Sequence, residues 1–431
     1  MNKGRSLEGH QPEISSGVGV KPGYKTTEVG VIPEDWEVMS VHELAQIKTG
    51  PFGTLLKANE YSDSEGVPLI SVGEIGVGCF KVTNNTPLIP ATVVRRLPQY
   101  VLRSGDVVFA RKGAVERSAL ITEIEDGWFL GSDGIAIRPH ERCYPPYLAV
   151  QFQSYQVQSW ILAYATGTTM ASLNQDVLGR VQVPIAPLPE QRAIASALSD
   201  VDALLSGLDR LIAKKRDLKQ AAMQQLLTGA TRLPGFSGEW EVRKLGEVAQ
   251  MGSGGTPLSS VPAYYGGGIS WVSIADMTKA GKVIKETEKT LTPLGLTNSS
   301  AQMLPNGTVL YAMYASLGEC SVAGVPLCTS QAILGIRPGD QLHNGFLYYF
   351  LTSIKVMVKT LGQQGTQANL NKAMVQGFRL ALPPLPEQSA IAAVLFDMDA
   401  ELAALEARRD KTWDLKQAMM QELLTGRTRL V

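Results

Sequence analysis

The chain has 431 residues and a mass of 46.5 kDa, with 40 Lys+Arg against 40 Asp+Glu. At 44% apolar and 19% charged, with mean hydropathy near zero, it has the composition of a globular protein, and its length suits two domains. The balanced charge excludes a chain that coats nucleic acid through bulk positive charge, and the apolar fraction excludes disorder over most of its length.

In chain order, residues 1–32 form an N-terminal segment rich in Gly, Ser and charge. It has no apolar core to act as a signal peptide and is expected to be flexible at its start. A first α+β domain is expected over 33–186. Its short apolar runs at 67–72, 105–110, 120–124, 134–137 and 181–185 read as strands, and 147–164 reads as an amphipathic helix. A long helix with a connector occupies 187–236. A second α+β domain follows over 237–383, with strands at 269–274, 308–311, 332–336 and 378–382 and a helix at 346–361. A second long helix, 384–431, ends the chain. No run of 18 apolar residues exists to span a membrane. The four cysteines, Cys79, Cys143, Cys320 and Cys328, make neither a C-x-x-C pair nor a disulfide framework. The four histidines are scattered, so no metal site is expected, and the chain reads as cytoplasmic with reduced thiols.

The two long helices are copies of one another. Residues 187–233 and 384–430 align without a gap at an offset of 197, with 29 of 47 positions identical. Both open Pro-Leu-Pro-Glu-Gln and both close Leu-Leu-Thr-Gly. Pro189 and Pro386 suit a helix start, Glu190 and Glu387 suit its dipole, and Gly229 and Gly426 suit its C-terminal cap. Ile194, Leu198, Val201, Leu205, Leu208 and Ile212 step by four and three, as do Ile391, Leu395, Met398, Leu402 and Leu405. That spacing is a coiled-coil seam, though each helix could instead pack on its own domain. If the seams pair antiparallel, the chain returns toward its start. Two similar mixed α/β domains are then separated by paired helices in a pseudo-twofold, circular arrangement.

The preceding domains correspond more loosely. Asp35-Trp36-Glu37-Val38 answers Glu239-Trp240-Glu241-Val242, and Leu173-Asn174 answers Leu370-Asn371. Between such anchors the sequences differ freely, so one fold carries two surfaces. Enzyme motifs are missing. There is no phosphate-binding G-x-x-x-x-G-K-[ST] loop, G-x-S-x-G elbow or H-E-x-x-H pair. Gly252–Thr256 lacks the strand–loop–helix context of a nucleotide site, and Tyr144-Pro145-Pro146-Tyr147 reads as a turn. No residue is assigned a catalytic role.

Two diverged domains, each followed by a helix opening P-L-P-E-Q and closing L-K-Q-x-x-M-Q-x-L-L-T-G, resemble the specificity subunit of type I restriction–modification systems. The resemblance runs from about Trp36 to Leu430. It implies a non-catalytic adaptor in which each target recognition domain reads one half of an interrupted, asymmetric site on double-stranded DNA. It also implies that the paired helices set the spacing and dock two methyltransferase subunits. Restriction (motor-nuclease) subunits would complete the assembly. S-adenosylmethionine, ATP and magnesium would belong to those partners, with none bound by this chain. Two other classes stay open. A protein scaffold would show little DNA affinity even with partners, and an undetected enzyme would need chemistry from the chain alone.

For the DNA contacts, Arg95 and Arg96 form one basic loop and Arg111, Lys112 and Arg117 another. In the second domain Tyr314 and Ser316 occupy the analogous loop, with Gln331 near. Gln363, Gln364, Gln367, Asn369 and Asn371 suit adenine edges, and Lys279, Lys282, Lys285 and Lys289 suit phosphates. Gln191, Gln388, Lys219 and Lys416 are expected on the outer helix faces, as docking residues. Net neutrality implies modest DNA affinity for the chain by itself.

Overall fold

The computed structural model describes residues 21–165, 171–363 and 369–430. The chain divides into two units, 1–207 with 409–431, and 208–408. Each repeat forms one helix of 39 residues, Leu188–Leu226 and Leu385–Leu423, or about 58 Å at 1.5 Å per residue. Pro189 and Pro386 lie in the first turn, where a missing N–H breaks no intrahelical bond. Gly229 and Gly426, with φ of +72° and +69°, close the two ends in the left-handed conformation. No described helix is long and apolar enough to cross a membrane.

The first unit opens with a hairpin of β1 (Tyr24–Thr27) and β2 (Gly30–Pro33), which places Ile32 in the core. The residues before Lys21 lie outside the described chain. The main sheet holds β3 (Ala45–Thr49), β4 (Val107–Ala110), β5 (Ser118–Leu120) and β6 (Gly134–Pro139), antiparallel in the order β3-β6-β4-β5. Every residue of β4 is buried, as its continuous apolar run requires. The helices α1 (Pro145–Phe152) and α2 (Tyr155–Tyr164) follow, and α1 lays Tyr147, Leu148 and Phe152 into the core.

The second unit repeats this plan. Its sheet holds β7 (Ala249–Ser253), β8 (Val283–Ile284), β9 (Val309–Ala312), β10 (Cys320–Ala323) and β11 (Ile333–Pro338), in the order β7-β11-β9-β10-β8. Only the edge strand β8 runs parallel to its neighbour. The helices α3 (Asn344–Ser353) and α4 (Lys355–Gln363) take the places of α1 and α2.

Two sequence expectations change. Residues 120–124 are not a strand beyond Leu120. The Glu125 carboxylate accepts from the Thr122 N–H (2.9 Å) and Thr122 hydroxyl (2.5 Å), which turns the chain and leaves Ile124 exposed. Each single helix expected in the domains is two. In the first, the Ser154 hydroxyl accepts from Val157 N and starts a new helix.

The long helices pack on their domains and on each other inside each unit. In the first unit Ile194 and Leu198 share a core with Trp36, Tyr147 and Phe152, and with Met420, Leu423 and Leu424 of the second helix. In the second unit Ile391 and Leu395 share a core with Phe346 and with Met223 and Leu226 of the first helix. Farther along the expected seams, Leu205, Leu208, Ile212 and Leu402 are buried, while Val201, Met398 and Leu405 are half-buried.

Candidate nucleic-acid interface

Each sheet ends in a seven-residue hairpin loop, 111–117 between β4 and β5 and 313–319 between β9 and β10. The two loops are held by the same backbone bonds. Arg111 N donates to Asp133 O (2.8 Å) and Leu173 N to Arg111 O (2.8 Å). Met313 N donates to Ala332 O (2.9 Å) and Leu370 N to Met313 O (3.0 Å). At the far side Ala110 N donates to Arg117 O (3.0 Å), as Ala312 N does to Glu319 O (2.9 Å). Gly113 and Ala315 both take positive φ, +75° and +60°. These bonds make Arg111 the counterpart of Met313, Lys112 of Tyr314, Ala114 of Ser316 and Arg117 of Glu319.

Each loop is thus joined to the segment before a short helix. Asn174 and Asn371 start those helices, their side chains accepting from Val177 N (2.7 Å) and Met374 N (2.9 Å). The Asn371 carbonyl oxygen is thus engaged in capping. Asn369 is exposed beside Leu370, and Gln363 ends α4. Gln364 and Gln367 lie outside the described residues.

The basic side chains of the first domain differ in what they meet. Arg96 bridges Glu60 (2.7 Å) and donates to Leu55 O (3.2 Å), and Arg95 is exposed one residue earlier. Lys112 bridges Asp133 (3.0 Å). Arg117 Nε reaches Ala114 O at 3.4 Å. Arg111 lies over the Phe52 ring, its guanidinium carbon 4.3 Å from the centroid. Its Nε is buried and has no hydrogen-bond partner among the described residues.

The second domain is chemically different at the same place. Tyr314 is exposed, Ser316 half-buried, and Met313, the counterpart of Arg111, is buried. Gln331 is exposed, and its Oε1 accepts from the Thr256 hydroxyl. The strand registers put Phe52 three residues past Thr49, opposite Ile135, and Thr256 three past Ser253, opposite Leu334. Phe52 and Thr256 are therefore equivalent, as are Ser132 and Gln331. Sequence reasoning missed Phe52 and Thr256, since neither lies near its partner in the chain.

Lys279 is exposed at the end of the helix Ile274–Ala280. Lys282, expected at a phosphate, is enclosed by protein groups. Its ammonium lies 4.4 Å from the Tyr349 and Phe396 ring centroids and 5.1 Å from Tyr348, and it bridges Asp399 at 3.2 Å. Burial lowers its pKa from the ordinary 10.5, against the pull of Asp399. Asp399 is itself held below 3.8. Burial opposes that shift, and bonding to Lys219 and Tyr349 with the charge of Lys282 outweighs it.

The four helix residues expected on docking faces point inward. Gln191 is 1% exposed. Its Oε1 accepts from Tyr144 N (2.7 Å), and its Nε2 donates to Ala186 O (2.8 Å) and Arg142 O (3.2 Å). Gln388 does the same with His343 N, Pro383 O and Gln341 O. Both amides fasten a helix start to its own domain. Lys219 bridges Asp399 in the second unit, and Lys416 bridges Asp202 (2.6 Å) in the first. At the 197 offset these are the same bridge, with the helices exchanged. Lys215–Glu401 (2.6 Å) and Arg216–Glu406 (2.5 Å) also cross between helices in the second unit.

Among the described residues no three His, Cys, Asp or Glu side chains gather as metal ligands. Burial pushes the Cys143 thiol up to about 12 and that of Cys328 to about 11, so neither is a thiolate at neutral pH.

Two α+β units carrying variable loop tips on one framework, each built against the start of a repeated helix, define a two-domain recognition protein. The chain matches the type I restriction modification DNA specificity domain twice, over residues 33–214 and 237–412, and belongs to that family. It is thus a specificity subunit rather than a catalytic one. A protein of Methanocaldococcus jannaschii assigned as the MjaX type I restriction enzyme specificity subunit is 25% identical over 425 residues, 94% of this chain and 97% of the relative. The StySPI specificity subunit of Salmonella potsdam is 22% identical over 424 residues, 92% and 89% of the two chains. In fold, the chain is similar to the crystal structure of a type I system S subunit from M. genitalium. That match has a TM-score of 0.58 at 15% identity, over 90% of this chain and 96% of the other. A chain from a structural study of assembly of the type I R-M system matches with a TM-score of 0.57 at 23% identity, over 92% and 99%.

Proposed function

We propose that this chain is the DNA-reading component of a type I restriction–modification assembly, in which each domain reads one half of an interrupted, asymmetric site. The observation that carries this reading is the pair of equivalent loops. One backbone frame, fixed by the same hydrogen bonds, bears Arg111, Lys112 and Arg117 in one domain and Met313, Tyr314 and Glu319 in the other. Equal frames with unequal side chains suit two different half-sites. Tyr314, Ser316, Gln331, Asn369 and the 363–367 glutamines are the second domain's contacts, and Arg95, Arg96 and Lys279 hold phosphates.

The two long helices act as the ruler. Antiparallel pairing as a coiled coil, with a pseudo-twofold relation, is supported by the twice-made Asp202–Lys416 and Asp399–Lys219 bridge. Readers on one face of a duplex want roughly 34–36 Å, one helical turn, between them. Two methyltransferase subunits dock on the helices. With both glutamines and Lys416 buried and Lys219 half-buried, the exposed Leu204, Leu211 and Leu218, every seventh residue of one helix, offer that surface. S-adenosylmethionine, ATP and magnesium belong to the methyltransferase and motor-nuclease subunits, and the assembly works in the cytoplasm.

Methylation mapping of DNA from cells making this chain with its methyltransferase subunit tests the reading. One interrupted, asymmetric motif is expected, lost on deletion of either domain. Methylation that follows no motif, or survives deletion of a domain, would overturn it.

A further inference from the structure

We propose that the first domain requires a guanine in its half-site, read by Arg111 from a platform made by Phe52. The inference rests on the DNA-reading role proposed above and adds the base. Several basic residues of the first domain are held by carboxylates: Lys112 by Asp133, Arg96 by Glu60, and Arg138 by Asp106 at 2.6 Å. Arg117 donates to Ala114 O within its own loop. Arg111 makes no ion pair among the described residues, although it sits beside Asp133, whose carboxylate goes to Lys112.

Its position is nevertheless fixed. Its backbone is tied on both sides by Asp133 O and Leu173 N, and its guanidinium lies over the Phe52 ring. A buried Nε without a partner among the described residues is a cost that folded proteins rarely carry without a use. The Phe52 ring holds the guanidinium in place, with its carbon 4.3 Å from the centroid. A planar fork of donors held in one place matches the O6 and N7 acceptors of guanine in the major groove, and no other base presents two acceptors there. A phosphate contact needs no such restraint.

The second domain supports the assignment by contrast. The equivalents of Phe52 and Arg111 are Thr256 and the buried Met313, so it has neither platform nor fork. It places the exposed Gln331 there, held by Thr256, and an amide pairs with adenine rather than guanine. The two half-sites therefore differ at the equivalent base.

Selection of duplexes from a randomised library by the chain assembled with its methyltransferase subunit tests this. The wild-type assembly is expected to enrich two half-sites, with a guanine in the one that depends on the first domain. Arg111→Gln should lower preference for that guanine by about tenfold to a hundredfold, leaving the other half-site unchanged. Arg111→Lys keeps the charge and long stem but loses the fork, and should lower the preference less than Arg111→Gln does. Phe52→Ala should weaken it in part. If the wild type enriches two half-sites but Arg111→Gln changes no position, the guanine assignment fails and the DNA-reading role stands. The same holds if Arg111→Gln lowers binding equally to all sequences and flattens its salt dependence, the mark of a phosphate contact. If the wild-type assembly enriches no sequence, the DNA-reading role itself fails, and this inference with it.

Discussion

Arg429 closes on Glu190, 239 positions earlier in the chain, through two bonds of 2.7 and 2.8 Å at the start of the first long helix. Glu190 is 2% exposed and also accepts from Trp36 Nε1 (3.0 Å), while Arg429 reaches on to Asp35. In the second unit Arg232, Glu387 and Trp240 repeat the arrangement, with both arginine bonds at 2.6 Å. There, Arg232 and Trp240 are joined by a short connector. In the first unit the corresponding residues lie near opposite ends of the chain, so the contact itself must make the closure. Glu190→Ala should destabilise the first unit by about 2–4 kcal/mol, because it leaves Trp36 Nε1 buried without its acceptor and Arg429 with Asp35 alone. Urea unfolding with Trp36 fluorescence checks this; a loss below about 0.5 kcal/mol would mean that the node is incidental.

Gln191 tests the correction to the docking surface. Its amide serves three backbone groups in a buried place. Gln191→Ala should lower stability by about 2–3 kcal/mol through those unsatisfied groups. Affinity of the folded chain for a methyltransferase subunit, measured by calorimetry, should stay within about twofold. A large affinity loss with unchanged stability would return Gln191 to the docking face.

Asp399 binds the two helices and the Lys282 box together in the second unit. Its folded pKa is lowered, so its contribution is fully present above the ordinary value of 3.8 and disappears as pH falls through the lower folded value. Lys282 gives the same sign of pH dependence in an alkaline window. Its folded pKa is also lowered, so the folded chain gives up that proton first, and stability from this group rises as pH climbs toward 10.5. Asp399→Asn should lower the stability of the 208–408 unit by about 1–3 kcal/mol at neutral pH and flatten its acid dependence below about pH 4. Hydrogen exchange of that unit in the intact chain measures both.

Ala315 is the one described non-glycine residue with positive φ, at the position where the first domain has Gly113. Ala315→Gly should stabilise the second unit by about 1 kcal/mol by relieving the clash of its Cβ. Gly113→Ala should destabilise the first by a similar amount, since open space surrounds the site and the backbone supplies the whole penalty. Thermal unfolding of both variants tests the pair; equal melting temperatures would remove the argument that the loops share one backbone.

The repeated helices were legible because prolines, glycines and apolar steps mark them locally. Their inward-facing glutamines were not. Helical spacing shows which residues share a face, but the groups served by Gln191 come from Tyr144, Arg142 and Ala186, brought there only by the folded domain. The surroundings of Lys282 were hidden for the same reason, since its box is assembled from α3 and the second long helix. The loop 111–117 could be found from its basic residues after an apolar strand. What singles out Arg111 within it, the Phe52 ring, arrives from a different strand end.

We propose above that the long helices set the distance between the two readers. Inserting one helical turn of four residues into each, between Gly207 and Leu208 and between Arg408 and Arg409, tests it most directly through methylation mapping. The account expects the unspecified gap in the recognised site to lengthen while the bases of both half-sites stay the same. An unchanged gap, or altered bases, would contradict it.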